Sequence, residues 1–241
     1  MAPVDPLQEM PTDLERVLAI VAHPDDLEYG ASAAVAVWVD AGVDVTFVLV
    51  TRGEAGIDTI DPATCGPLRE AEEREAARCV GVSAVEFLGY QDGVIEHSLE
   101  LRRDLAGAIR RHRPDLVVTL NHHDQWFGQG WNSPDHRNTG RAVLDAVGDA
   151  GNRWIFPELV HAGMAPWTVR HGVAVYGSEH MTHAVAVEAG IDRAIASLEA
   201  HATYLTVLGD GTDPRELLTS NAQANADRFG GRLCVAFELI G

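Results

Sequence analysis

The sequence predicts an α/β protein with a doubly wound, mostly parallel sheet flanked by helices. Short and nearly continuous apolar runs at residues 17–22 and 45–50 are typical of parallel strands that are buried on both faces. Longer segments of helical composition follow them at residues 27–41 and 68–80. This alternation of strand and helix indicates parallel strands that are joined by crossover helices.

Two further strand–helix units continue the pattern. A third strand is predicted at residues 85–88, and Ser98 is a favourable N-cap for a helix that runs to about residue 112. A fourth strand is predicted at residues 115–120, and the next helix at residues 134–147.

After Gly151 the pattern becomes looser. Strands are predicted at 173–176, 184–187 and 235–239, the last at an edge of the sheet, and helices at 191–208 and 214–228. We expect one domain over residues 1–241, in which residues 151–241 form a variable part. Residues 1–13 are polar and contain proline, so we expect a flexible N-terminus there.

The composition excludes several classes of function. The net charge of −18 argues against a nucleic-acid surface, which needs a basic stripe, and against docking to anionic lipid. The N-terminus does not resemble a signal peptide, and the apolar runs are far shorter than the ~20 residues of a membrane span. The three cysteines form no Cys-x-x-Cys pair. We therefore expect a cytoplasmic protein that is not inserted in a membrane, and a homo-oligomer is left open.

Polar residues collect where the predicted strands end. In open parallel sheets, ligands bind at the carboxyl ends of the strands, where the strand order reverses. The first strand is followed directly by His23-Pro24-Asp25-Asp26, and a loop after the fourth strand leads to Asp135 and His136. We therefore expect these two segments to meet at one edge of the sheet.

Three of these side chains have the chemistry of a metal site. His23 and Asp26 are three residues apart at the end of a strand and the start of a helix, and they can converge on one ion. His136 follows a helix start at Ser133-Pro134 and could supply a third ligand. Two imidazoles and one carboxylate leave a coordination position open, as a catalytic ion requires. The alternative is that the acids only cap a helix and that His136 is incidental.

The motifs resemble those of the PIG-L/LmbE-like deacetylase family. They occur in the family's order over residues 17 to about 150. The matching residues are Ala22-His23-Pro24-Asp25-Asp26, Thr51-Arg52-Gly53-Glu54-Ala55-Gly56, Arg69 with Glu72, Phe87-Leu88-Gly89 with Asp92-Gly93, and Pro134-Asp135-His136-Arg137.

The resemblance implies an LmbE-like fold and one Zn²⁺ ion per chain, bound by His23, Asp26 and His136. It implies that Asp25 is the general base that takes a proton from the attacking water. The implied substrate is a small N-acylated amino sugar or glycoconjugate, from which acetate and a free amine are released. Iron(II), cobalt or manganese would also suit these ligands.

The resemblance also implies roles for residues around the metal. Asp135 and Glu54 would support the ligands from behind. Arg69 at the rim and Asp92 would contact the substrate, although Arg69 could instead be a solvated charge on a helix. Trp126, Phe127 and Trp131 could stack on a sugar, or they could simply anchor their loop. The first of these readings makes the loop a specificity element.

One position departs from the family pattern. Many members carry His-Pro-Asp-His, in which the first histidine is thought to assist the departing amine or the oxyanion, whereas Ser133 stands there in this chain. His183 is our candidate for this second catalytic role. His122 and His123 are further candidates, and each of the three could equally be an ordinary surface or core histidine.

Other functions remain open at the level of the sequence. The same site could serve an amidase of a larger thiol–sugar conjugate, or a tailoring deacylase of a natural-product sugar. Two histidines and a carboxylate also form the facial triad of non-haem iron oxygenases, although those usually have β-sandwich folds. A nucleotide-binding module is disfavoured because no Gly-rich phosphate loop follows the first strand. A binding protein without catalysis is disfavoured because Asp25 and all three ligands are present.

Overall fold

Strands and helices alternate along the chain in a computed structural model of the protein. The structure describes residues 5–126, 130–209, 211 and 213–241. The strands are β1 (Gln8–Glu9), β2 (Arg16–Val21), β3 (Asp44–Leu49), β4 (Ala84–Phe87), β5 (Leu116–Leu120), β6 (Gln125–Trp126), β7 (Gly130–Trp131), β8 (Val173–Tyr176), β9 (His183–Ala186) and β10 (Cys234–Ile240). The helices are α1 (Asp26–Gly30), α2 (Ser32–Asp40), α3 (Pro62–Cys79), α4 (Leu99–His112), α5 (Pro134–Gly151), α6 (Pro157–His161), α7 (Ile191–Glu199), α8 (Ala202–Leu208) and α9 (Pro214–Gln223), with a 3₁₀ turn at Ala226–Phe229.

The predicted α/β fold with a mostly parallel, doubly wound sheet is confirmed. Eight strands form one sheet in the order β1-β9-β10-β8-β5-β2-β3-β4. β10 is antiparallel to β8 and β9, whereas the other pairs in this sheet are parallel. From β2 the chain continues through β3 and β4 on one side, and it then returns to β5 on the other side. The strand order therefore reverses between β2 and β5, which places a ligand site at their carboxyl ends.

The central strand β2 is buried on both faces. Val17, Ala19 and Val21 belong to a core that also contains residues of α2, α7 and α9. Leu18 and Ile20 belong to the opposite core, which contains residues of α4 and α5. Burial on both faces explains why this strand has a continuous apolar run rather than an alternating pattern. Within the described ranges, no helix is long and apolar enough to cross a membrane.

Two helices that the sequence predicts as continuous are each divided in the structure. The segment predicted at 27–41 forms α1 and α2, which meet at Ala31. The segment predicted at 191–208 forms α7 and α8, which are separated by Ala200 and His201. Gly30 directly precedes the first break. The second break, at Ala200 and His201, contains neither proline nor glycine, so it has no local sequence signal.

The two ends of the chain differ from the expectation. The described part of the predicted flexible N-terminus, residues 5–13, packs against the sheet, because β1 pairs with β9 and the flanking Leu7 and Met10 are buried. β10 was expected at an edge, but it lies inside the sheet between β8 and β9. β1 covers β9 instead, so the N-terminal segment supplies the edge strand on that side.

A substitution at Gly30 tests the close packing of α1 against Tyr176 of β8. A methyl group at Gly30 would overlap the ring of Tyr176. We expect Gly30→Ala to lower the free energy of unfolding by about 1–3 kcal/mol, because overpacking forces the ring or the helix to move. Chemical denaturation measures this difference.

The matched control is Gly148→Ala in α5, where the added methyl group meets nothing within 4 Å. There the better helix propensity of alanine should raise the free energy of unfolding by up to about 1 kcal/mol. Equal effects of the two substitutions would contradict the packing of Gly30 on Tyr176.

Candidate metal centre

The turn between β2 and α1 places two acidic side chains in different directions. Asp26 begins α1, and its Oδ2 accepts hydrogen bonds from the backbone N–H groups of Ala22 (3.0 Å) and His23 (2.8 Å). Asp25 has a left-handed backbone with φ of 93°, which is unusual for a residue with a side chain. Asp25 makes no capping hydrogen bond to α1. Helix capping therefore does not explain why an aspartate stands at position 25.

His136 reaches the same corner from α5. Ser133 is the N-cap of α5, as predicted, and its Oγ accepts a hydrogen bond from the backbone N–H of His136 at 3.1 Å. His136 Nε2 lies 3.1 Å from Asp26 Oδ1, and His23 Nδ1 lies 3.6 Å from Asp26 Oδ2. One ligand atom from each of these three residues lies within 4.8 Å of the others. The structure thus brings together the three residues that the sequence proposes as metal ligands.

The second nitrogen of each imidazole has a partner of its own. His23 Nε2 lies 3.1 Å from Asp92 Oδ1 and 3.2 Å from Asp135 Oδ2. His136 Nδ1 lies 3.1 Å from Asn132 Oδ1. These acceptors favour a proton on the outer nitrogen of each ring, which leaves His23 Nδ1 and His136 Nε2 as lone-pair donors towards Asp26. Such a donor set fits a divalent metal ion.

The electrostatics of this corner favour a positive charge. Burial alone would raise the pKa of Asp26, but the facing imidazoles of His136 and His23 lower it well below its usual range. Burial alone would lower the pKa of His23, but Asp26, Asp135 and Asp92 raise it well above its usual range. The surrounding carboxylates thus stabilise a cation at this point, whether it is a proton or a metal ion.

Asp25 lies in a separate set of contacts beside the three ligands. Its Oδ2 is 3.2 Å from Arg69 Nη2, and its backbone N–H donates to Glu73 Oε2 at 3.3 Å. Tyr204 is a further neighbour of Asp25, because burial and the Asp25 carboxylate raise the pKa of its hydroxyl. Burial raises the pKa of Asp25 to about 6, against the lowering effect of Arg69. A carboxyl group with this pKa can exchange a proton near neutral pH.

Arg69 and Asp92 were predicted to contact the substrate, but both make internal contacts. Arg69 is only 2% exposed, so it is neither a rim residue nor a solvated helix charge. It pairs with Asp25, donates to the carbonyl of Pro24, and lies over the ring of Tyr204 with 3.9 Å between the guanidinium carbon and the ring centroid. Asp92 faces His23 and accepts a hydrogen bond from Ala55 N–H at 2.8 Å. Both residues border the cavity, but their polar atoms are used to position Asp25 and His23.

Asp135 contacts His23 directly, whereas Glu54 was expected to support a ligand but reaches His23 only through Asp92. The Asp135 carboxylate accepts hydrogen bonds from the backbone N–H groups of Gly93 (2.7 Å) and Ile95 (3.0 Å) as well as facing His23. Glu54 Oε1 accepts from the backbone N–H of Asp92 at 2.9 Å. These successive contacts, from Glu54 to Asp92 and from Asp92 to His23, fix the orientation of the His23 imidazole.

A cavity of about 800 Å³ opens beside the three ligands. Trp126 borders it, and its ring lies edge-on to His136 with 5.7 Å between the ring centroids. Trp131 is 70% exposed and borders a different, smaller pocket of about 320 Å³. The guanidinium carbon of Arg137 lies 4.9 Å from the centroid of the Trp131 ring. Of the two tryptophans that were expected at the substrate, only Trp126 reaches the main cavity. Phe127 lies outside the described residues.

The structure does not bring His183 to the metal corner, so its predicted catalytic role is not supported. His183 starts β9, which is four positions away from β2 in the sheet. Neighbouring strands are about 4.8 Å apart, so the two strands are separated by roughly 19 Å. His122 and His123 stack on each other with 4.1 Å between ring centroids, and His123 pairs with Glu238. None of these three histidines borders the main cavity.

Sequence reasoning missed three residues that shape this corner. Asn132 holds His136, Tyr204 contacts Asp25, and the Tyr176 hydroxyl donates to the backbone carbonyl of Asp26 at 2.8 Å. The spacing of four residues between Asn132 and His136 could have revealed the first contact. The other two residues come from distant elements, and no local pattern indicates where their side chains lie.

A comparison with protein-family models identifies the family. The model described as PIG-L, GlcNAc-PI de-N-acetylase, matches residues 18–147, which is more than half of the chain. The chain belongs to this family. The matched segment contains His23, Asp25, Asp26 and His136, so the PIG-L family motif and the convergent side chains coincide.

Individual relatives support the same assignment. A diacetylchitobiose deacetylase of Thermococcus kodakarensis is 30% identical over 162 residues, which cover 66% of this chain and 58% of the relative. A 1D-myo-inositol 2-acetamido-2-deoxy-α-D-glucopyranoside deacetylase of Mycobacteroides abscessus is 28% identical over 243 residues, covering 82% of this chain and 84% of the relative. The chain therefore spans little more than half of the first relative and most of the second.

The fold is shared with a solved deacetylase structure. The N,N'-diacetylchitobiose deacetylase from Pyrococcus horikoshii superposes with a TM-score of 0.85 at 24% sequence identity, covering 95% of this chain and 84% of that chain. The predicted LmbE-like fold is thus confirmed for this PIG-L family member.

The contact between Asn132 and His136 can be tested through metal affinity. We expect Asn132→Ala to weaken Zn²⁺ binding by about 10–100-fold, because the His136 ring loses the acceptor that fixes its orientation. Competition with a chromophoric chelator measures the affinity. The matched control is Asn152→Ala at the other end of α5, where the side chain accepts only from Trp154 N–H. Unchanged affinity in Asn132→Ala would rule out this orienting role.

Proposed function

We propose that the protein is a zinc-dependent hydrolase that removes an N-acetyl group from an amino sugar or small glycoconjugate. The observation that carries the proposal is the convergence of His23, Asp26 and His136 next to the separate carboxylate of Asp25. Membership of the PIG-L family and the names of the relatives, which are deacetylases of N-acetylated sugars, support it.

The chain provides a complete ligand set for the metal. Zinc would be held by His23 Nδ1, by the Asp26 carboxylate and by His136 Nε2, which are ligand types that zinc prefers. When bound, zinc acts as a Lewis acid that polarises a carbonyl and increases the acidity of water.

Asp25 has the position and the protonation behaviour of the general base. Arg69 and Tyr204 hold its carboxylate, and its raised pKa suits proton exchange near neutral pH. Asp25 accepts a proton from the attacking water as the water oxygen bonds to the amide carbon. The carbon–nitrogen bond then breaks, and Asp25 returns the proton to the nitrogen. The products are acetate and a free amine, and the carboxylate is restored.

The size of the cavity is compatible with a second candidate function, the hydrolysis of an amide in a larger substrate. Its volume of about 800 Å³ lies in the upper part of the range of small-molecule sites, so it can accept a substrate larger than one N-acetyl sugar. An amidase of a thiol–sugar conjugate or a deacylase of a natural-product sugar would use the same residues. The oxygenase alternative is not favoured, because the ligands lie in a PIG-L family domain. The expected homo-oligomer and cytoplasmic location stay predictions.

Replacement of Asp25 separates metal binding from proton transfer. We expect Asp25→Asn to retain zinc and to lose at least 100-fold in acetate release, because the amide cannot accept the proton. His136→Ala should lose both zinc and activity, because it removes a ligand. The measurements are zinc content and acetate release from a panel of N-acetylglucosamine conjugates.

Asp192→Asn, an exposed change in α7, is the control and should leave both properties unchanged. Near-wild-type acetate release by Asp25→Asn would show that another group is the base. Acetate release from no conjugate, together with amine release from a larger amide, would replace the deacetylase proposal by the amidase.

A further inference from the structure

A second group of ligand-type side chains lies behind Asp25. Glu28 comes from α1, Glu73 from α3, and His201 from the break between α7 and α8. Their exposed fractions are 0%, 1% and 0%, so the group is sealed from solvent. One ligand atom from each residue lies within 4.8 Å of the other two, as in the first group of His23, Asp26 and His136.

The polar atoms of this second group do not satisfy one another. His201 Nε2 lies 3.6 Å from Glu28 Oε2 and 3.7 Å from Glu73 Oε2, which is too long for hydrogen bonds. Glu28 Oε2, Glu73 Oε1 and both ring nitrogens of His201 are buried without a hydrogen-bond partner among the residues that the structure describes. Unsatisfied buried polar atoms are rare in folded proteins, and each of them needs an explanation.

A bound cation explains these separations. Zinc binds oxygen and nitrogen at about 2.0–2.2 Å with tetrahedral geometry, which places neighbouring ligand atoms roughly 3.3–3.6 Å apart. The separations of 3.6 and 3.7 Å are close to this range. In the first group, the corresponding separations are 3.1 and 3.6 Å. The two groups therefore have similar spacing for an ion.

A bound cation would also offset the negative charge of the group. Two carboxylates, Glu28 and Glu73, are buried side by side, and those of Asp25 and Asp26 lie nearby. Buried carboxylates are stabilised when they are paired, bind a metal or take up a proton, and burial together with Glu28 raises the pKa of Glu73. A divalent cation would balance Glu28 and Glu73. The imidazole of His201 favours a transition metal over magnesium or calcium, which prefer oxygen ligands.

We propose that Glu28, Glu73 and His201 bind a second divalent transition-metal ion, of the zinc class. Its role is structural, because it ties α1 and α3 to the segment between α7 and α8. Outer contacts already orient two of the ligands, since Ser197 Oγ donates to Glu28 Oε1 at 3.1 Å and Asp25 N–H donates to Glu73 Oε2. The ion would thereby steady the Asp25 turn, and the chain would hold two ions rather than one.

Metal content tests this proposal. Full-length protein is loaded with Zn²⁺ and freed of loosely bound ions by gel filtration, and zinc per chain is measured by mass spectrometry. We expect about two ions in the wild type, one in His201→Gln, one in His136→Gln and none in the double variant. His97→Gln, a change in a histidine that pairs with Asp145 away from both groups, should keep two. One ion in the wild type, or two in His201→Gln, would overturn the proposal.

Crystals of the wild type give a test that does not depend on how the variants fold. Anomalous scattering at the zinc absorption edge should show a peak between Glu28, Glu73 and His201, besides a peak at the first group. A difference map with only a water at the second position would overturn the proposal. The function proposed for His23, Asp26 and His136 would stand in that case, because acetate release depends on the first group.

Discussion

The Asp26 carboxylate connects the elements on which the candidate metal centre depends. One of its oxygens accepts hydrogen bonds from the backbone where β2 ends, and the other faces His136 at the start of α5. The backbone carbonyl of Asp26 accepts a hydrogen bond from Tyr176 at the end of β8. The contacts of this one residue therefore connect two strands, β2 and β8, with two helices, α1 and α5. Because Asp26 faces His23 and His136, the neighbouring Asp25 turns away from them and towards Arg69, as the proposed role of a base requires.

The sequence was sufficient to predict the scaffold and the convergence of the three side chains that we propose as metal ligands. Continuous apolar runs marked strands buried on both faces, and the reversal of strand order predicts a site at their carboxyl ends. His23, Asp25 and Asp26 follow β2 directly, and His136 follows a clear helix start, so local pattern alone placed each of them at the edge of the sheet. Their convergence follows from the parallel arrangement of β2 and β5.

The residues around the ligands could not be assigned from the sequence, because their roles depend on tertiary partners. From the sequence, Arg69 could be a solvated charge on a helix, but in the fold it is buried against Asp25 and Tyr204. Asp92 reads as a free carboxylate until it meets His23. We chose His183 for the second catalytic role because Ser133 stands where many family members have a histidine. The place of His183 in the sheet, however, depends on the insertion of β10 between β8 and β9. That insertion has no local signature.

Several buried acidic groups lie in and around α1, where hydrogen-bond donors and cationic groups stabilise them. Arg69 forms an ion pair with Asp25, and the proposed zinc ion would be the cation next to Asp26. The second proposed ion would be the cation among Glu28, Glu73 and His201.

The central claim is that His23 and His136 bind one metal through defined ring nitrogens. Long-range ¹H–¹⁵N correlation spectra of the zinc-loaded protein test it most directly. We expect zinc to shift the ¹⁵N resonances of His23 Nδ1 and His136 Nε2, while the protons stay on His23 Nε2 and His136 Nδ1. Zinc binding that leaves the ring nitrogens of either histidine unchanged would contradict it.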